Sequence, residues 1–218
     1  MKFVLKYPTR GRPKQFIRNL SHYQRLLSHR HPARFVVSID ADDSSMRSSD
    51  VMNFLRRTRG VEVHVGRSTG KIAAVNADLD KLGDYDVLIL MSDDMIPQVR
   101  AYDVVIDQLM REHFPNLDGC LHFLDGLNQN GLNTMPIMGR KLVEKWGYIY
   151  HPSYKAEWCD NEFQDVTERD GKSAKINRVL FKHEWNKGGP DATFKRNSGF
   201  FAQDKANYEA RKAAGFLK

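Results

Sequence analysis

Cysteine is scarce in this sequence. Cys120 and Cys159 are the only two among 218 residues, too few for a disulfide framework or for a metal site made of thiolates alone. A reducing, cytoplasmic setting is the simplest expectation. Long apolar runs are missing as well. Nothing approaches the roughly 20 consecutive apolar residues that a membrane-crossing helix needs. The early run Phe3-Val4-Leu5 is too short for the core of a signal peptide, and no membrane insertion is expected. Fifteen glycines and eight prolines, without a repeat, exclude a fibrous chain. Acid is absent from the first 39 residues, which carry nine Lys or Arg and no Asp or Glu.

What is present is an ordinary globular composition, 41% hydrophobic and 28% charged. A chain of this length can bury about 70% of the surface its unfolded form exposes, enough for an enzyme-sized core. The net charge is +7 and unevenly spread. Residues 40–171 hold 14 basic and 23 acidic residues, whereas residues 172–218 hold 11 basic and four acidic. Basic flanks around an acidic middle suit a site where carboxylates hold a cation while Lys and Arg attract phosphate. For most single lysines, solvated surface is the plainer reading.

Residues 2–7 read as a short strand. Phe16, Leu20, Tyr23 and Leu27 then recur at helical spacing within residues 13–30, with Pro13 suited to the first turn. Residues 35–39 and 61–65 are β-rich, with a helix from Ser48 or Ser49 through Leu55 between them. Ile72, Val75, Leu79 and Leu82 make one helical stripe, and residues 86–91 form the apolar run of a strand buried on both faces. Beyond Pro97 a helix is expected at 100–113, a strand at 119–124 and a polar loop at 125–134. A short helix at 139–146, an extended 148–152, a helix at 157–169 and a strand at 176–182 follow. Gly188-Gly189-Pro190 opens a basic tail that ends in a helix near 203–214. Strands alternating with helices imply right-handed βαβ units. The expected fold class is α/β, a mostly parallel Rossmann-type sheet flanked by helices in a single domain.

Such sheets bind ligands at the carboxyl ends of their strands. Four successive strand ends here carry charge: Thr9-Arg10-Gly11-Arg12, Asp40 with Asp42, Arg67 through Lys71, and Asp93-Asp94. We read this as a site. Adjacent carboxylates raise each other's pKa unless a cation joins them, and magnesium-type sites use one or two carboxylates plus phosphate oxygens. A solvated, helix-capping turn is the equal alternative. His183 would suit a manganese-like ion, although a lone histidine is more often a plain surface or core residue. Glu157, Asp160 and Glu162 open a helix, where acids are favoured electrostatically. As a general base, one of them would be kept ionised by the helix dipole.

In their order these residues resemble the GT-A-fold nucleotide-sugar glycosyltransferases, especially the small inverting ones, across residues 1–185. The resemblance implies that Thr9, Arg10 and Arg12 contact the nucleotide and that Asp40 or Asp42 binds its base or ribose. Arg67, Lys71 and Asn76 would belong to the donor site. Ser92-Asp93-Asp94 stands for the family's metal motif, with Ser92 replacing its first acid. Asp93 would then lie against the donor, and Asp94 would hold the metal, Mn2+ or Mg2+. Asp160 corresponds to the catalytic base, and His183 completes the metal shell. Lys187, Lys195 or Arg196 would close over the phosphates, hinged at Gly188-Gly189. Residues 1–97 would form a nucleotide-binding half, 98–187 an acceptor and catalytic half, and 188–218 a basic C-terminal loop and helix.

The implied reaction is inverting transfer of a sugar from a nucleoside diphosphate, UDP for preference, to an acceptor hydroxyl. The basic ends would suit a polyanion, including DNA carrying a hydroxylated base, as in phage DNA-modifying glycosyltransferases. That base would have to be flipped out of its stack. Trp146, Tyr148, Tyr150, Tyr154 and Trp158 could stack a sugar or a nucleobase, or belong to the core. A nucleotidyltransferase is the nearest rival and would release pyrophosphate. A non-catalytic nucleic-acid-binding module accounts for the Lys and Arg but leaves Asp93, Asp94 and Asp160 unexplained. Gly66 to Lys71 is one residue short of a P-loop, and Ile72 stands where the hydroxyl is needed.

Overall fold

A computed structural model of the chain describes residues 1–67, 69–127, 131–184 and 189–217. Its first elements are β1 (Phe3–Thr9), α1 (Pro13–Leu26), β2 (Ala33–Asp40), α2 (Ser49–Arg57), β3 (Val61–Gly66), α3 (Lys71–Asn76) and β4 (Val87–Leu90). β1 pairs in parallel with β2 and β4, and β2 with β3. All four residues of β4 are buried, as an unbroken apolar run requires. Then come β5 (Met95–Pro97), α4 (Tyr102–His113), β6 (Cys120–Leu124), β7 (Ile137–Gly139), α5 (Arg140–Trp146) and α6 (Cys159–Arg169). The chain closes with β8 (Ser173–Val179), β9 (Phe181–His183), α7 (Ala192–Ser198) and α8 (Phe201–Ala213).

Seven strands form one sheet in the order β3-β2-β1-β4-β7-β6-β8, and β5 pairs with β9 in a small second sheet. β7 runs antiparallel to both of its neighbours, and the other pairings of the large sheet are parallel. The expected α/β class is what is observed. Side chains alternate along a strand, so two cores form. Phe3, Leu5 and Tyr7 pack with Phe16, Leu20 and Tyr23, whereas Val4 and Val36 pack with Ile72, Val75 and Leu142. No helix among the described residues is long and apolar enough to cross a membrane.

The structure departs from the local pattern in four places. The stripe from Ile72 to Leu82 is two elements, α3 and a 3-10 turn at Leu79–Lys81, because Asp78 takes a left-handed conformation (φ +60°) between them. Its carboxylate is drawn there by the Ser38 hydroxyl at 2.6 Å and the Lys81 ammonium at 2.7 Å. The single strand expected at 176–182 is β8 and β9, which belong to different sheets. β5 and β7 were not expected, since three residues carry no readable period. Gly139 both ends β7 and caps the start of α5, one residue from the expected helix start, and a Cβ there would lie 2.4 Å from the Leu117 carbonyl oxygen. Finally, the basic tail contains α7, capped by Asp191, which accepts the Phe194 N–H at 2.7 Å.

Candidate active site

The carboxyl ends of β1, β2 and β4 open into a cleft of about 390 Å³, where a sheet of this kind places its ligand. Thr9, Arg10 and Asp40 line it from the first two strands, and Ser92, Asp93 and Asp94 from the turn after β4. Lys71 of α3, Glu157 and Asp160 at the head of α6, and Phe194, Arg196 and Asn197 of α7 form the walls.

The two adjacent aspartates point into different surroundings. Asp93 is buried and accepts the Tyr7 hydroxyl at 2.8 Å and the Thr9 hydroxyl at 3.4 Å. Its carbonyl is held by the side-chain amides of Gln15, at 2.8 Å, and Asn19. Burial pushes the Asp93 carboxyl up to about 7 despite the Tyr7 bond. Burial acts on Asp94 too, but His183 and the Ser92 hydroxyl, with Lys71 beyond, hold its carboxyl well below the usual range. His183 Nε2 lies 3.5 Å from Asp94 Oδ2, and its Nδ1 lies 3.4 Å from Asp125 Oδ2. Burial alone would lower the His183 pKa, and the two carboxylates raise it. The backbone fixes this meeting: Met95 and His183 are paired in the small sheet, Glu184 N–H donates to Asp94 O at 2.7 Å, and His183 N–H donates to Asp125 O at 2.8 Å.

Asp94 and His183 bring one carboxylate oxygen and one imidazole nitrogen within 3.5 Å of each other. The second imidazole nitrogen is backed by a carboxylate, as ligating histidines commonly are. Among the described residues no group of three His, Cys, Asp or Glu gathers. A divalent ion would complete its shell with phosphate oxygens and water, the usual arrangement for hard cations on one or two carboxylates. The donor set fits such an ion.

Across the cleft, Trp158 sits in the left-handed region (φ +63°) directly before Cys159 and Asp160, a costly conformation for a bulky residue. The buried Asp204 of α8 steadies this turn by accepting the backbone N–H groups of Lys155, Ala156 and Glu157 at 3.0, 2.8 and 2.8 Å. Asp160 Oδ1 accepts the Asn161 N–H at 3.0 Å. Burial raises the Asp160 pKa more than Lys71 and the helix-end N–H groups lower it, which corrects the expectation that the helix dipole would dominate. Burial raises Glu157 as well. Crowding opposes the Lys71 charge, but Glu157, Asp160 and Asp94 outweigh it and raise that pKa. Glu162 is not a free base. It takes a two-point ion pair from Arg211 at 2.7 and 2.8 Å and the Tyr154 hydroxyl at 2.7 Å.

Of the other expected donor residues, Arg10 bridges Asp40 and Asp42 at 2.6 Å each, but Asp42 is exposed and outside the cleft wall. Arg12 lines the cleft while forming a two-point ion pair with Asp191 at 2.6 and 3.0 Å, which ties α7 to the loop after β1. Arg67 is exposed and outside the wall, as is Lys195. Asn76 is structural: its amide donates to Tyr150 O at 2.6 Å and accepts the N–H groups of Ile149 and Tyr150 at 2.9 and 3.2 Å. Lys187 and Gly188 lie outside the described residues. Of the aromatic group, Tyr150 reaches the cleft, Trp146 packs on Phe163, and Trp158 packs on Phe201 and Tyr208. Sequence reasoning missed Tyr7, Asp125, Asp191 and Asp204. Asp125 follows β6 directly, so the strand-end rule could have found it; the other three act across distances that leave no local signal.

No protein-family model and no curated protein matches the sequence. Solved structures match in fold. The mannosyltransferase PcManGT from Pyrobaculum calidifontis, in complex with GDP-Man and Mn2+, aligns with a TM-score of 0.70 at 13% identity, over 86% of this chain and 58% of that one. S. aureus TarS in complex with UDP-GlcNAc aligns at 0.66 and 15%, over 86% of this chain and 60% of that one. The 4-diphosphocytidyl-2C-methyl-D-erythritol synthase of Anaerococcus prevotii aligns at 0.53 and 11%, over 91% and 95%. The chain thus spans less than two thirds of the first two proteins. At such identities what is shared is architecture, and the architecture is the GT-A fold expected from the strand-end residues.

Proposed function

We propose that this protein transfers a sugar from a nucleoside diphosphate, UDP for preference, to an acceptor hydroxyl with inversion at the anomeric carbon. One observation carries the reading: Asp94 and His183 meet at 3.5 Å at the end of β4, in a cleft whose other wall holds Lys71 and Asp160. The mannosyltransferase bound to GDP-Man and Mn2+ and TarS bound to UDP-GlcNAc support this ligand class.

Residues 1–97 would bind the nucleotide through Thr9, Arg10 and Asp40, and residues 98–187 would supply the base. Asp94 and His183 would hold a divalent cation, Mn2+ rather than Mg2+ because one ligand is an imidazole. When bound, such an ion stabilises the charge on the departing diphosphate as a Lewis acid. Asp160 accepts the acceptor's hydroxyl proton as that oxygen bonds to the anomeric carbon. The bond from this carbon to the phosphate oxygen breaks, and its electron pair leaves with the nucleoside diphosphate. Lys71 keeps Asp160 ionised against its burial and adds positive charge where the leaving group develops negative charge. Arg196 of α7 completes the phosphate contacts, and α7 excludes water from the reacting centre. DNA carrying a hydroxylated base is the acceptor that the acid-free N-terminal segment favours.

Incubation with UDP-sugars or GDP-mannose and Mn2+ should release the nucleoside diphosphate. Asp160→Asn should abolish turnover and leave UDP binding unchanged; full activity in that variant overturns the assignment of the base. The synthase named for its diphosphocytidyl product shares the fold, which favours nucleotidyl transfer as the second reading. Release of pyrophosphate from a nucleoside triphosphate would establish that reading instead.

A further inference from the structure

α1 runs out of the cleft along a second hollow. Arg12 and Gln15 line the cleft, and on the following turns Arg18, His22 and Arg25 line an open groove of about 460 Å³ against Ile96 of β5. Glu184 borders both hollows, so the two are contiguous. Asn19 anchors this stretch of helix on the Asp93 carbonyl.

Arg18 and Arg25 are the cations that border the groove, Glu184 at its junction with the cleft is the acid, and Lys14 flanks it on the same helix. Lys14, Arg18 and Arg25 are exposed on α1, at spacings that share a helix face. Among the described residues none of them pairs with a carboxylate: Arg18 meets Asn19 at 3.4 Å, and Arg25 meets His22 at 2.5 Å. Beside Ile96 in the small sheet, its register partner is the exposed Lys182. By contrast Arg12, which lies on the cleft side of the same helix start, is held by Asp191. Like charges one turn apart destabilise a helix, and a bound polyanion relieves that repulsion while releasing its counterions. At 1.5 Å per residue the cations stand about 6 and 10 Å apart along the axis, close to two and three nucleotide rises of about 3.4 Å. Guanidinium forks match phosphate geometry.

We propose that this groove is the docking track of the acceptor and that its occupant is a nucleic-acid strand. Phosphates lie along Lys14, Arg18, Arg25 and Lys182, and the nucleotide to be modified enters the cleft past Glu184. This rests on the glycosyl-transfer reading.

The test is fluorescence anisotropy with a short labelled DNA across a salt series. It compares the wild type with a Lys14→Glu, Arg18→Glu, Arg25→Glu variant, none of whose positions lines the donor cleft. The wild type should bind with log K falling linearly against log salt. The variant should bind at least about tenfold more weakly, with a slope shallower by about 0.9 for each phosphate that is no longer neutralised. Its thermal shift with UDP and Mn2+ should be unchanged. If the triple variant does not fold, Arg18→Ala with Arg25→Ala should show a smaller effect in the same direction. Equal DNA binding by wild type and variant, or equally tight binding of chondroitin sulfate, would overturn the proposal. Nucleotide-dependent stabilisation without any DNA binding removes the track and leaves the sugar-transfer reading standing. DNA binding that the variant loses, in a protein without nucleotide response, supports the groove and sinks that reading.

Discussion

Asp204 Oδ2 accepts the backbone N–H of Glu157 at 2.8 Å, so a residue of the C-terminal helix fixes the turn that presents Asp160. The same carboxylate holds Lys155 and Ala156. The Lys155 carbonyl in turn accepts the Ile72 N–H at 3.2 Å, beside Lys71. Asp204→Asn turns an amide N–H₂ towards at least one of these donors, at an expected cost of about 2 kcal/mol. Misplacing a reacting group by about 1 Å can cost about 100-fold. The variant should therefore remain folded, lose about 10- to 100-fold in kcat and keep its UDP affinity. Calorimetry and steady-state kinetics check this; an unchanged kcat would show that Asp204 does not position the base.

A carboxylate base works only when deprotonated, and burial raises Asp160. The kcat should accordingly fall with decreasing pH through a pKa above the ordinary value of about 3.9. Lys71 is the main charge opposing that shift. In Lys71→Met the acid limb of the kcat profile, taken at saturating donor, should move to higher pH. A limb that stays in place would separate Lys71 from Asp160.

Removal of the metal should be visible without turnover. UDP at about 100 times its Kd would add about 2.7 kcal/mol of stability, and we expect this gain with Mn2+ and its loss with EDTA. Asp94→Asn and His183→Ala should lose the metal-dependent part. Asp42→Asn, outside the cleft wall, should retain it. A UDP shift of equal size in EDTA would remove Asp94 and His183 from the role of ligands.

Lys6 is fully buried on β1, donating to the Ser38 hydroxyl, which donates to Asp78 at 2.6 Å. Burial pushes its pKa from 10.5 down to about 8. Because the folded pKa is the lower one, the unfolded chain binds more protons between pH 8 and 10.5, and this group makes stability rise with pH across that window. Below it, the cost of charging a buried amine is carried in full. Lys6→Met should therefore stabilise the protein at pH 7 by about 2 kcal/mol, a gain that shrinks above the window. Denaturant melts at both pH values check this, and a loss at pH 7 would mean that the bond to Ser38 outweighs the desolvation.

Period and alternation are local properties, and for most elements they were enough. β1 to β4, α1, α2, α4, β6, α6 and α8 lie within a few residues of where pattern places them. The strand-end rule likewise pointed to Thr9, Arg10, Asp40, Lys71 and Asp94, which line the cleft, but also to Asp42 and Arg67, which do not. Only tertiary structure decided what long contacts impose. Asp78 breaks a helical stripe because Ser38 draws its carboxylate away. The chain changes sheets between β8 and β9, where Phe181–His183 pair antiparallel with Met95–Pro97 far back in the sequence. Asp93 and Asp94 are neighbours of identical chemistry, yet one lies under Tyr7 and the other faces His183. No local pattern separates the two, because burial and partner are set by segments far away in the chain.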